Sequence, residues 1–599
     1  MKKIVLISFA LIVSHLSVFA QQAIGVLESN TIRCNVSATG DLFNRFDDEN
    51  LPGYESPAGS MLQTIYASNL WIVGSSVEQS WGLAAEMYQE GNDWFPGPLS
   101  NDGVASTTEL SQAAWNNVWS ANANDVQNHQ IYFNAVSNGL PDPFPNGYSI
   151  PDWFFTWPAH GNLAENQDYY IAPFFDYNEN GMYDPNNGDF PSFCGDQCLF
   201  FVFNDVGGIH SESGGAALGL EVQGMLYSFD TDEDENLNHT VFLKYKVINR
   251  SSYTYTDVHI GLWNDFDIGN GQDDYIGTNV RRSSIYAYNG DAFDEAVSSS
   301  LGYGENLPIQ SVVLLAGPSM DDDLMDNPLP DNLHSVVTNS YGPAAYGFGD
   351  GIVDNERLGF SSSAYFANSS HPVIGSPDLP SEYANYLRNR WKDGSTVYSG
   401  GNGLNSTGVT DVPAAYMFPG SSDPLNSGTN GVEVPVWDEF SAGNIPGDRR
   451  ILGVTGPFTF MPGDHHVLDF AFVLSQTQEA GNDDSLAFHE AREIAVKQYF
   501  DQNLVECQNG QMLLSTTEQP LNAGVRIFPN PANEFMRLST FGLNGPKQVK
   551  MYNSLGGLVY SEMMNGNNTG LNISHLPGGC YVLSIEDSIN RVVTPVIID

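Results

Sequence analysis

From His239 to Asn249 the chain alternates: Val241, Leu243, Tyr245 and Val247 fall on one side, Phe242, Lys244, Lys246 and Ile248 on the other. A period of two is the period of a strand, and a strand with one wholly apolar side needs another layer to cover it. The pattern returns at Val258, Ile260 and Leu262, and again at Leu468, Phe470, Phe472 and Leu474. Shorter strand signals lie at Gln63 to Val73 and Val77 to Tyr88. Only 16% of residues are charged while 12% are aromatic, and 59 Gly and 33 Pro cut the chain into short elements. That balance supplies a core and frequent turns, not disorder. The expected fold is therefore mainly β: a β-sandwich-rich core with long ordered loops and few helices. Residues 321–450, dense in Gly, Pro, Asn and Ser, are expected as loops laid over a sheet. Helical spacing predicts one helix over Glu109 to Trp119, with Leu110, Ala113, Ala114 and Val118 inward. It predicts another over Asp484 to Gln502, with Phe488, Ala491, Ala495 and Tyr499 inward, capped by Asp483 or Asp484.

The two ends read as addresses. Lys2 and Lys3 precede the apolar run Ile4 to Val13, and Val18-Phe19-Ala20 offers a cleavage site, so residues 1–20 read as a signal peptide. No later stretch has the length and apolarity of a membrane span, so none is expected in the mature chain. Near the other end come Phe528-Pro529-Asn530-Pro531, then Leu555-Gly556-Gly557, then Leu576-Pro577-Gly578-Gly579-Cys580-Tyr581. Short alternating strands between these turns predict a small C-terminal β-sandwich. This segment closely resembles the type A sorting domain of type IX secretion. The resemblance implies a secreted protein, extracellular or attached to the outer face of the outer membrane. It implies the type IX machinery as partner and, after sorting, cell-surface lipopolysaccharide. The body, at Asn69 to Gly74, Trp94 to Leu99, Trp157 to Asn162 and Tyr177 to Pro191 among other blocks, is similar to a family of such cargo proteins without assigned activity. That similarity implies location and architecture but no chemistry. The expected organisation is a signal peptide (1–20), a β-rich core (21–507) divisible at 205/206, a linker (508–524) and the sorting domain (525–599).

Lys and Arg number 22 against 71 acidic residues, a formal charge of −49. This excludes recognition of nucleic-acid backbones, which needs clustered cations. It favours divalent cations as ligands. The five cysteines are Cys34, Cys194, Cys198, Cys507 and Cys580. In an oxidising compartment Cys194 and Cys198 are expected to bridge, leaving Cys34 to pair with Cys507 and Cys580 free.

Calcium is the expected cofactor. Asp176, Asn178 and Asn180 place oxygens at positions 1, 3 and 5 of a loop, Gly181 permits the bend, Met182 offers its carbonyl, and Asp184 stands at position 9. This is the first two-thirds of an EF-hand-like loop. Position 12 is Asn187 where a bidentate Glu belongs, and Asp189 is the substitute. The alternative is a metal-free loop of Asx turns. Asp265, Asp267, Asp273 and Asp274 form a second metal candidate at a strand end, where Arg281 and Arg282 are the alternative counter-charges. Asp230, Asp232 and Asp234, and Asp350, Asp354 and Glu356, read as solvated loop acids.

No HExxH, GxSxG or P-loop pattern occurs, and His160, His210, His465 and His466 are scattered. Trp71, Trp81, Trp94, Trp153 and Trp157 read chiefly as core packing. The function expected is a structural or interaction protein of the cell surface, adhesin-like or a matrix component, with calcium-stabilised loops and no assigned catalytic residue. A secreted hydrolase or carbohydrate-binding protein is the alternative.

Overall fold

The computed structural model describes residues 22–45, 52–77, 80–88, 90–232, 234–297, 300–328, 346–404, 409–476 and 482–504. Toward the C-terminus it describes 524–528, 535–541, 546–553, 558–566, 568–586 and 591–598. The expected signal peptide, Cys507, almost all of the linker and the Pro529-Asn530-Pro531 and Leu555-Gly556-Gly557 motifs lie outside these residues. The chain divides into two compact units, Met1–Leu513 and Leu514–Asp599.

The first unit is built on β1 (Gln63–Ser76), β2 (Gln197–Asn204), β3 (Leu220–Ser228), β4 (Thr240–Asn249), β5 (Tyr255–Phe266) and β6 (Asp274–Asn279). It continues with β7 (Ser284–Asn289), β8 (Pro308–Ala316), β9 (Ser362–Ala367), β10 (Arg449–Phe460) and β11 (His465–Gln476). One sheet runs β1-β5-β10-β9, and Tyr54–Glu55, Arg33–Ser37 and Ile24–Leu27 extend it beyond β1. The other runs β6-β7-β8-β11-β4-β3-β2 and ends at Phe95–Pro96. No division falls at 205/206, because β1 ladders with β5 and β2 with β3.

The sheets meet face to face. Val241, Leu243, Tyr245 and Val247 of β4 and Leu468, Phe470, Phe472 and Leu474 of β11 share one core with Val258, Ile260 and Leu262 of β5. Each such side chain, removed from water, contributes ~1.5–3 kcal/mol. Trp71 and Trp263 stack in this core with ring centres 6.2 Å apart and planes 5° from parallel. The reverse face of the second sheet is covered too: Phe242, Ala471 and Val473 pack with Phe154, Trp157, Val496 and Phe500. Lys244 survives on that covered face by its ion pair to Asp469, 2.5 Å, and Arg357 holds the other Asp469 oxygen at 2.9 Å.

The helices depart from their predicted faces. α1 spans Glu109–Trp115 and turns Ser111 and Trp115 inward, while Leu110 is 81% exposed. It stops there because Trp119–Asn122 joins the second sheet beside β2. α2 (Ala123–Ser137) was not predicted; Asn122 caps it, and it buries Val126 and His129. α3 (Asn482–Tyr499) lies where expected but is rotated: His489, Arg492, Glu493 and Val496 are buried, and Phe488 is exposed. Polar contacts hide this stripe from an apolar-periodicity reading, since His489 lies 3.5 Å from Glu493 and Arg492 donates to the Leu474 carbonyl of β11.

The expected Cys194–Cys198 bridge does not form: Cys198 is a free, buried thiol. It sits in β2 between Ala121 and Tyr227, laddered on both sides. Cys194 is itself disulfide-bonded, so it has no thiol to offer Cys198. Cys34 is likewise free and buried, so it makes no bridge to Cys507.

The second unit pairs Gly524–Phe528 with Phe535–Phe541 and Asn568–Asn572 in one sheet. The other sheet is ordered Leu558–Met564, Lys547–Asn553, Gly579–Glu586, Arg591–Ile598. Met536, Leu538, Val549, Met551, Leu583 and Ile585 fill its core. This is the small sandwich that the alternation predicted. Among the described residues of either unit, no helix is long and apolar enough to cross a membrane.

Candidate cation sites

The 176–184 loop is a chain of Asx turns. Asp176 accepts the amides of Asn180 at 3.2 Å and Gly181 at 2.6 Å. Asn178 Oδ1 also accepts the Asn180 amide, and Asn180 Oδ1 accepts that of Met182 at 2.7 Å. Gly181 takes φ 77°, the left-handed bend expected at position 6. Asp184 turns away to cap the short 3-10 helix Pro185–Asn187. Asp189 is fully buried beneath the loop and accepts the Tyr177 and Asp184 amides, each at 2.8 Å. Burial raises the Asp189 carboxyl, and the charges of Asp176 and Asp184 add to the rise. The alternating oxygens thus hold the turn itself, and three carboxylates stand close enough to repel one another.

The 265–274 segment leaves the end of β5. Asp265 is 1% exposed; its Oδ2 accepts the Tyr88 hydroxyl at 2.7 Å and an Arg450 nitrogen at 2.9 Å. Its Oδ1 is buried and has no partner among the described residues. Ligand oxygens of Asp265, Asp267 and Asp448 lie within 4.8 Å of one another. Asp273 and Asp274 go elsewhere: Asp274 Oδ2 accepts the Ile268 amide, Asp273 Oδ2 accepts Asn270, and both Oδ1 atoms are buried without a partner. Burial pushes Asp265 up to about 7, Arg450 opposing and Asp448 adding to the rise. Burial pushes Asp273 up to about 6 and holds Asp267 and Asp274 well above the carboxylate range.

The structure therefore brings Asp265 and Asp267 together and adds Asp448, which lies 181 residues beyond Asp267 in sequence and carried no local signal. It adds Asp294 beside the turn, accepting the Asn270 and Tyr303 amides. The counter-charge is Arg450 and not Arg281 or Arg282, since Arg282 pairs with Glu490 at 3.4 Å. The weaker acids brace loops: Asp234 caps Glu235–Asn238, and Asp354 accepts the Asp323 and Leu324 amides. The histidines are structural. Both nitrogens of His210 bond backbone carbonyls, and His160 accepts the Tyr183 amide. Trp71, Trp94 and Trp157 are core residues.

A cleft of about 770 Å³ opens beside β6 and β7, lined by Tyr275, Tyr286, Tyr288, Phe440, Glu490 and Glu493 among others. The ring centres of Tyr286 and Tyr288 are 6.0 Å apart. No single sequence motif announces it, because its walls come from five separate segments.

Residues 526–599 match the family described as the secretion system C-terminal sorting domain. No curated protein matches the chain. Among solved structures, a polysaccharide lyase aligns over 72% of this chain and 37% of its own at 8% identity, with a TM-score of 0.18. PorZ, an essential bacterial surface component of the type IX secretion system of Porphyromonas gingivalis, aligns over 71% of this chain and 47% of its own. The identity there is 10% and the TM-score 0.12. The chain thus spans less than half the length of either structure. The sorting domain makes it a type IX secretion cargo, directed through that machinery to the outside of the cell.

Proposed function

We propose that this secreted cargo is a structural or interaction component of the cell surface, adhesin-like or part of a surface matrix, with calcium bracing its loops. The observation that carries the reading is how the core spends its acids. Asp205 gathers the amides of Leu218, Gly219 and Leu220; Asp326 those of Gly349 and Gly351; Asp423 those of Ser427 and Gly428. Each is a charge-assisted clamp on an irregular loop. A sandwich whose long loops are clamped in this way presents a fixed surface, which suits recognition more than a moving lid. Calcium at Asp176, Asn178, Asn180, Met182 and Asp184 extends the same logic to the one loop with alternating oxygens. Attachment to lipopolysaccharide after sorting belongs to the same reading.

The test is cellular. Producing cells lacking residues 22–507 but keeping the sorting domain should lose adherence to surfaces and to one another. Unchanged adherence and biofilm mass would sink the reading. A second reading, carbohydrate binding, is favoured by the tyrosine-lined cleft, since sugar rings stack on aromatic faces. Tyr288→Ala should then abolish retention on a neutral polysaccharide column that holds the parent protein.

A further inference from the structure

We propose that Asp265, Asp267 and Asp448 hold a divalent cation, calcium by its oxygen-only donors, at the open end of the β5–β10 ladder. The proposal deepens the calcium-braced reading but uses none of the 176–184 residues.

The placement follows from the strands. Asp265 and Arg450 are ladder partners, so Asp267, one residue beyond β5, and Asp448, one residue before β10, continue the same two strands past their last pair. Side chains two apart on a strand share a face, and the three carboxylates accordingly converge to within 4.8 Å. Arg450 is the guanidinium in direct contact, touching both Asp265 and Asp448. The next cation, Arg45, is committed to Gln63 Oε1 at 2.6 Å and stands over the Tyr66 ring. One contacting guanidinium among three carboxylates leaves an excess of negative charge when all three are ionised, and a bound cation would relieve it without their taking up protons.

Two further observations point to a ligand. Asp265 Oδ1, on a side chain 1% exposed, receives no hydrogen bond from any described residue. A buried carboxylate oxygen without a donor is costly, and an ion is one of its ordinary explanations. The loop is also cut to fit Asp267: a Cβ on Gly271 would stand 2.0 Å from Asp267 Oδ1. Asp267 and Asp448 are only half-buried, so an ion has a route in. Hard carboxylate oxygens without nitrogen or sulfur select calcium or magnesium over transition metals. Calcium tolerates the irregular set better, because magnesium demands a near-ideal octahedron.

The site carries its own reporter. Tyr88 bonds Asp265, and its ring lies edge-on to Trp263 at 5.1 Å. Terbium(III), as the calcium probe, should luminesce on the full chain when these rings are excited, and calcium should displace it. Asp176→Ala should keep that emission. Asp267→Asn and Asp448→Asn should each weaken terbium binding at least tenfold. Asp448 is half-buried, and asparagine there keeps an oxygen for Asn368, which guards against loss of the fold. Wild-type emission in both asparagine variants would overturn the proposal, as would absence of both terbium emission and calorimetric calcium binding in Asp176→Ala. Loss of calcium binding through Asp176→Ala alone would instead assign the ion to the 176–184 loop.

Discussion

Asp265 and Arg450 stand directly opposite each other in the β5–β10 ladder, and their side chains close across it at 2.9 Å. Arg450 also bonds the Tyr88 hydroxyl and lies 5.6 Å from the centre of its ring, tying the 80–88 segment to both strands. Removing one partner of a buried pair strands the other charge, typically at ~3–5 kcal/mol. Arg450→Met should destabilise the core by about that much in urea unfolding. Adding Asp265→Asn should recover part of the loss, because the stranded carboxylate is then gone. Equal stability of the parent and Arg450→Met would show that the pair is not what secures this corner.

The 176–184 loop gives a separate expectation. A ligand that binds only the folded state stabilises it by about 2.7 kcal/mol at a hundredfold excess over Kd. Chelation should lower the melting temperature, and Asp176→Ala should reduce the response to chelator. The Asp176 oxygens that hold the Gly181 amide would be lost in the same variant, so its melting point in chelator should also fall below the parent's. A variant that melts like the parent with and without chelator marks the loop as dispensable to stability.

The strands were legible because both sheets obey a period of two, so Leu468, Phe470, Phe472 and Leu474 could be assigned one face before any partner was known. The helices were less so. Inward positions of α3 are filled by His489, Arg492 and Glu493, which read as solvent-facing until their pairing is seen. α2 is polar along most of its length and is held by the Asn122 cap and by Val126 and His129. Within the second candidate cation site, Asp265 and Asp267 are two apart and read together. Asp448 and Arg450 arrive on another strand, and cross-strand proximity leaves no trace in local spacing. The cysteine expectation failed for a related reason. Three intervening residues suggest a bridge, but Cys194 is disulfide-bonded elsewhere and Cys198 is left free, a choice that local spacing does not reveal.

Those free thiols yield a direct test. Burial pushes the Cys34 and Cys198 thiols up, and both are enclosed in the core. The thiolate is the reactive form, so neither should react with iodoacetamide in the native state. Both should be alkylated once the chain is unfolded in guanidinium without reductant, as mass mapping would show. Resistance of Cys198 to alkylation in the unfolded, unreduced chain would restore the bridge that the structure excludes.

Glu212 sets a pH dependence of definite sign. Its carboxylate accepts the Met87 amide at 2.6 Å and faces Glu86, Asp93 and Asp41 across the turn after the 80–84 strand. Burial pushes it up to about 8 from an ordinary 4.5, the bonds from Met87 and Gly91 opposing, and Asp41 and Asp93 adding to the rise. In the unfolded chain Glu212 ionises near its ordinary value. Between that value and about 8 the folded state therefore holds more protons than the unfolded one, and unfolding free energy falls as pH rises. The contribution is fully present below the unfolded value and is lost through the folded one, at ~1.4 kcal/mol for each unit that separates them. Glu86, raised by burial with Asp41 and Glu212 beside it, acts in the same direction. Urea unfolding in chelator should therefore show lower stability at pH 8.5 than at pH 5. Glu212→Gln keeps an acceptor for the Met87 amide but carries no titratable proton, so it should flatten that fall. A parent protein more stable at the higher pH, or a variant with the same slope, would mean that this carboxyl is not held protonated in the fold.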